Sequence, residues 1–134
     1  MRSRCRCAVA SELILIVEDN PRNLKLVRDT LQVKGYPTIE AGTGEEGVQL
    51  ARAQHPALIL MDIQLPGISG VEAFRQLRAD PTTRAIPVIA VTASVMAQER
   101  QKVMAAGFDG FQGKPISVRE LLETVRQILD KSER

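Results

Sequence analysis

Two kinds of apolar pattern alternate along the chain. One is a short unbroken run, seen in Leu13-Ile14-Leu15-Ile16-Val17, Ala57-Leu58-Ile59-Leu60-Met61 and Val88-Ile89-Ala90-Val91. A run of this length that is apolar at every position predicts a strand covered on both faces. The other is a stripe at helical spacing: Leu24, Val27 and Leu31; Ala73, Phe74 and Leu77; Leu121, Leu122, Val125, Ile128 and Leu129. The stripes follow start signals. Asn20 can cap a helix whose first residue is Pro21. Thr43 with Glu46, Ser69 with Glu72 and Ser117 with Glu120 each have the spacing of a capping box. Gly35, His55-Pro56 and Gly107 are stop signals. Weaker strands are predicted at Pro37–Ala41 and Phe108–Gln112, a helix over 95–106 and a loop over Asp80–Pro87. Five strands alternating with five helices predict an α/β fold: a doubly wound, five-stranded parallel sheet with helices on both faces.

Length and composition narrow this to one domain. The chain has 134 residues, 44% of them hydrophobic and 25% charged, enough for a core and too few for two ordinary domains. No run approaches the ~20 apolar residues that cross a bilayer. Eighteen basic residues stand against sixteen acidic ones, a net charge of +2. Arg2, Arg4 and Arg6 against Glu12 account for all of it, and the remaining chain is balanced. That distribution speaks against a nucleic-acid-binding body. Residues 1–12 show neither period and are expected to be a disordered basic tail, before a domain over 13–131 and a short end at 132–134. Cys5 and Cys7 are the only cysteines. They make half of a structural zinc site at best and leave the body without a disulfide, as in a reducing compartment. The expected location is the cytoplasm. His55, before Pro56, reads as a surface loop residue.

In an open parallel sheet the reactive crevice lies outside the carboxyl ends of the strands. The first strand ends in Glu18 and Asp19, the third in Asp62 and the fourth in Thr92, and the fifth leads into Lys114. Three carboxylates at one edge repel one another and call for a divalent cation, with oxygen ligands that suit Mg²⁺ better than Zn²⁺. A carboxylate beside such a cation can attack phosphorus to give an aspartyl-phosphate. Its oxygens would then be held by the cation, the Lys114 ammonium, the Thr92 hydroxyl and loop N–H groups. Ala93 leaves room for the incoming donor.

Four blocks carry a family resemblance, in order and at matched distances: Ile14-Leu15-Ile16-Val17-Glu18-Asp19-Asn20, Ile59-Leu60-Met61-Asp62-Ile63-Gln64-Leu65-Pro66, Val91-Thr92-Ala93 and Gly113-Lys114-Pro115. Residues 13 to about 130 resemble the response-regulator receiver domain of two-component signalling, the chemotaxis-regulator-like family. The likeness is to small stand-alone cell-cycle or motility receivers and to receivers of hybrid kinases. It implies the flavodoxin-like strand order 2-1-3-4-5. It implies Asp62 as phosphoacceptor, with Glu18, Asp19, Asp62 and the Gln64 carbonyl around Mg²⁺, for which Mn²⁺ can substitute. Thr92 resembles the switch hydroxyl, Lys114 the phosphate-binding lysine and Phe111 the switch aromatic. Phe111 stands where some members have Tyr, so a phenolic hydrogen bond is absent. Gly113 stands where Ser is frequent. Gln64 and Ser94 occupy positions that tune how fast water removes the phosphoryl group.

The implied partners are a sensor histidine kinase or histidine phosphotransfer protein as donor, and a downstream protein at the face of the fourth helix, fifth strand and fifth helix. The chain is expected to be a monomer or weak dimer, with neither nucleic acid nor membrane as a direct partner. Its only catalysis would be self-phosphorylation from donors and autodephosphorylation. A receiver cut from a hybrid kinase or multidomain regulator reads the same way. A small Asp-nucleophile phosphatase fits less well, because Gln64 stands where the second Asp of the haloacid-dehalogenase type belongs. A flavin site would want a phosphate loop where Glu18 and Asp19 stand, and GxxxxGK[ST] does not occur. Phe111 is open to a second reading as core filling. The helix carrying Met96 and Met104 either packs one side on the sheet or offers an adaptable partner surface. Arg100 and Lys102 are expected to be solvated.

Overall fold

In the computed structural model, the described residues are 12–63, 65, 67–92, 97–113 and 117–132, with the side chains of 97–100 and 131–132 left aside. The expected disorder of residues 1–12 therefore falls outside them, apart from Glu12. The elements in chain order are β1 (Ile14–Val17), α1 (Pro21–Val33), β2 (Thr38–Ala41), α2 (Gly44–Gln54), β3 (Leu58–Asp62), α3 (Gly70–Ala79), β4 (Val88–Thr92), α4 (Ala97–Ala105), β5 (Gly110–Gly113) and α5 (Val118–Ser132). All strand pairings are parallel and the order is β2-β1-β3-β4-β5. This is the doubly wound arrangement expected.

Adjacent strand residues point to opposite faces, and both faces are covered, which is why the central strands read as unbroken apolar runs. Ile14, Ile16, Leu58, Leu60, Ile89 and Val91 pack against Val27 and Leu31 of α1 and Leu121, Val125 and Leu129 of α5. Leu15, Val17, Ile59, Met61, Val88 and Ala90 pack against Val48 of α2, Ala73, Phe74 and Leu77 of α3, and Val103 of α4.

The caps behave as expected of their residues. Asn20 Oδ1 accepts from the N–H groups of Arg22 and Asn23. Thr43 Oγ1 accepts from Glu46 N–H, and Ser69 Oγ from Glu72 N–H. The Thr43 box is not reciprocal, because Glu46 reaches one residue further back and takes the Gly42 N–H at 2.9 Å. His55 closes α2 in the left-handed region, at φ 50°.

The fifth strand departs from expectation. It starts at Gly110 rather than Phe108, and the helix before it covers Ala97–Ala105. Gly107 turns the chain at φ +107°, which delivers Phe108 into the core, stacked on Phe74 with ring centroids 4.0 Å apart. Asp109 then uses its side chain as a fastener. Its Oδ2 accepts from Val88 N–H and from Arg78 Nη2, each at 2.8 Å. Arg78 Nη1 donates to the carbonyls of Arg84 and Ile86, and the guanidinium lies over the Phe74 ring.

Candidate functional site

Glu18 follows β1, and its backbone N–H donates to the Ala41 carbonyl at 3.0 Å, so the residue is still held by sheet-type bonding. Its side chain is 4% exposed, and its Oε2 accepts from the Asn20 N–H at 3.1 Å. One residue thus links the end of β1 to the cap of α1. Asp19 is exposed. Asp62 is the last residue of β3, which pairs directly with β1, and it is 2% exposed. The next residue continues the ladder, with Ile63 N–H donating to the Val91 carbonyl at 2.9 Å.

The two central strands therefore end side by side, and their acidic termini meet. One carboxylate oxygen from each of Glu18, Asp19 and Asp62 lies within 4.8 Å of the others. At that spacing, three negative charges repel by about a kcal/mol per pair in water and by more where they are buried. The donor set is entirely carboxylate oxygen, with neither nitrogen nor sulfur, which matches hard divalent cations. Two of the three carboxylates are buried and the third faces solvent, so the cluster has an open side.

The structure places Thr92 at the end of β4 and 4% exposed. Asp62 pairs in register with Val91, so Thr92 lies one residue beyond the Asp62 row, opposite Gly113 of β5. Phe111 is half-buried and packs against the α2/α3/α4 core, which leaves both readings of it in place. Gln64, Ala93, Ser94, Met96 and Lys114 lie outside the described residues.

Sequence reasoning missed how the loop after β3 is seated. Gly70 opens α3 and donates its N–H to the Ile63 carbonyl at 2.9 Å. A Cβ at Gly70 would overlap the Asp62 carbonyl oxygen and stand 2.7 Å from Ile63 Cα. The start of α3 thus rests on the backbone of Asp62. The available signal was a glycine directly after the capping Ser69, where any other small residue would serve the helix better.

Residues 14–126 match the model of the response regulator receiver domain family. This chain belongs to that family. Among its relatives is the polar-differentiation response regulator DivK of Brucella ovis, 47% identical over 116 residues, which are 87% of this chain and 94% of the relative. The receiver domain of a sensor histidine kinase from Pseudomonas aeruginosa superposes with a TM-score of 0.83 at 32% identity, over 90% of this chain and 98% of the other. That structure holds a magnesium ion coordinated in its active-site cleft. The receiver domain of a signal transduction histidine kinase from Syntrophus aciditrophicus gives 0.84 at 31% identity, over 92% and 93%. As a receiver, the chain is a phosphorylation-controlled switch of two-component signalling, and its acidic cluster is consistent with the metal site of such domains. No helix among the described residues is long and apolar enough to cross a membrane.

Proposed function

We propose that Asp62 accepts a phosphoryl group from a phosphohistidine donor and that the modified chain signals through protein contacts. The observation that carries this is the convergence of Glu18, Asp19 and Asp62 at the ends of adjacent central strands. A lone strand-end carboxylate would need no acidic neighbours, and gathering three costs stability unless a cation is used.

The residues present fit Mg²⁺. Glu18, Asp19 and Asp62 would hold it, with the Gln64 carbonyl completing the set, and when bound it would neutralise the carboxylates and the phosphoryl oxygens. Asp62 is the nucleophile. Its carboxylate oxygen forms a bond to phosphorus as the P–N bond of the donor breaks, and the donor imidazole recovers a proton. Burial at the strand end fixes the attacking oxygen and keeps its rotamers few. The Asn20 N–H on Glu18 keeps that carboxylate turned into the cluster. Thr92 and Lys114 hold the new phosphoryl oxygens, and the movement of Thr92 and Phe111 alters the face formed by α4, β5 and α5. The donor is a histidine kinase or a phosphotransfer protein, and the readout is a protein partner.

Intact mass after incubation with acetyl phosphate or phosphoramidate tests the reading. One phosphoryl adduct is expected on the wild type with Mg²⁺, and none with EDTA or in Asp62→Asn. An adduct that persists in Asp62→Asn would assign the chemistry elsewhere.

A further inference from the structure

A groove of about 540 Å³ lies at the edge of the sheet between α4 and α5. Its apolar lining is Met104, Phe111 and Ile128, and its rim carries Asp109 and Asp130. Among the described residues, neither Lys nor Arg lines it. Among the described residues, both aspartates are only half engaged. Asp109 uses Oδ2 for Arg78 and Val88. Asp130 uses Oδ1 for the Arg126 guanidinium. The second oxygen of each has no partner among the described residues. The chemistry that fits is a guanidinium on an aliphatic stem: an N–H for each open carboxylate oxygen, and methylenes for the floor.

The same chain holds that chemistry close by. Arg126 Nη2 is 2.9 Å from Glu12 Oε2 and 2.9 Å from Asp130 Oδ1, so one nitrogen joins the start of the domain to the groove rim. Glu12 is 7% exposed and firmly placed. Immediately before it come residues 1–11, with Arg2, Arg4 and Arg6 and no acidic residue. Eleven residues span up to about 36 Å, ample to lie along a groove that begins at their root. We propose that residues 1–11 dock in the α4/α5 groove, with arginines on the open oxygens of Asp109 and Asp130. Occupied this way, the groove is shielded from other ligands. The docking stands on charge, shape and tether alone; only its consequence for partner binding rests on the function proposed above.

The two cysteines, Cys5 and Cys7, supply the probe. The full chain carrying Cys7→Ser is labelled with a nitroxide on Cys5, and amide intensities are compared before and after the label is reduced. At low ionic strength the amides of Gly110, Thr124 and Gln127 should lose about half their intensity, and recover most of it in about 0.5 M NaCl, which screens charges beyond a few Å. They should recover equally in Arg2→Ser/Arg4→Ser/Arg6→Ser and in Gln127→Lys, which adds a positive charge at the groove without removing a bond. Broadening that ignores salt and these substitutions would be mere proximity of a tethered segment and would overturn the proposal. So would absence of broadening over the groove. Broadening of unlabelled, isotope-enriched chain by labelled chain in a mixed sample would assign the groove to a second copy instead.

Discussion

Gly70 and Asp62 touch through their backbones: the first residue of α3 sits where only a hydrogen, not a methyl group, clears the carbonyl oxygen at the end of β3. The helix and the acidic cluster are therefore built on the same few atoms. Gly70→Ala must push α3 away or twist the end of β3. The substitution is expected to cost about 1–3 kcal/mol in urea unfolding, as overpacking does. It should also weaken divalent-cation binding, read by Mg²⁺-dependent amide shifts. Ala is the better helix former, so a stabilised variant would show that the contact is slack.

The clustered carboxylates predict opposite effects of one substitution under two conditions. In EDTA, Asp62→Asn removes a buried negative charge near two others and should raise stability by roughly 1–3 kcal/mol. With Mg²⁺ at about 100 times its dissociation constant, the wild type should gain about 2.7 kcal/mol from binding and the variant much less. Thermal unfolding of both proteins, with and without Mg²⁺, checks the crossing. Equal responses to Mg²⁺ would remove Asp62 from the cation site.

Arg126 ties three segments together, bonding Glu12, the Tyr36 hydroxyl and Asp130. The bond to Glu12 is the main reason that the pKa of the Arg126 guanidinium is raised, with burial opposing it. Arg126→Ala leaves the buried Glu12 carboxylate without its cation and should cost about 1–3 kcal/mol. Arg126→Lys should recover only part, because an ammonium cannot reach these partners from a rigid fork. Denaturant midpoints of the three proteins measure this, and an Arg126→Ala midpoint equal to wild type would show the tie to be ornamental.

Asp80 gives a pH prediction. Its pKa lies below the ordinary 3.8, chiefly because the Thr82 backbone N–H and then the Thr82 hydroxyl donate to it, with Arg52 adding to the effect and desolvation opposing it. A depressed carboxylate contributes stability that is present above the unfolded value and is lost as pH falls through the folded one. Thr82→Val removes the hydroxyl and keeps the backbone donor. The Asp80 carboxyl should then titrate closer to 3.8, which a side-chain carbon NMR titration would resolve. An unmoved midpoint would leave the backbone bond and Arg52 as the causes.

Much of the fold was legible because its strongest signals are local. Three strands buried on both faces must be apolar throughout, and capping residues announce α1, α2, α3 and α5 in the sequence. The start of β5 was not legible. Phe108 has the composition of a strand residue, but it turns inward onto Phe74, a ring more than thirty positions away, and nothing nearby in sequence reports that. The acidic cluster was legible for a topological reason: parallel strands bring all their carboxyl ends to one edge, so Glu18, Asp19 and Asp62 had to share that edge once the strands were found, and the strand order implied by the resemblance sets β1 beside β3. The ties of Arg126 to Glu12 and of Arg78 to Asp109 were not, since an arginine on a helix gives no sign of which distant carboxylate it meets.

Those two arginines share a location. Glu12 precedes β1, Tyr36 precedes β2, Ile86 and Val88 lead β4, and Asp109 precedes β5, so both guanidiniums clamp the amino ends of the strands, away from the carboxylate cluster. A plate bolted along one margin bends about that margin. Any shift set off at the opposite edge is therefore levered against a fixed base, and its travel is greatest where the loops begin.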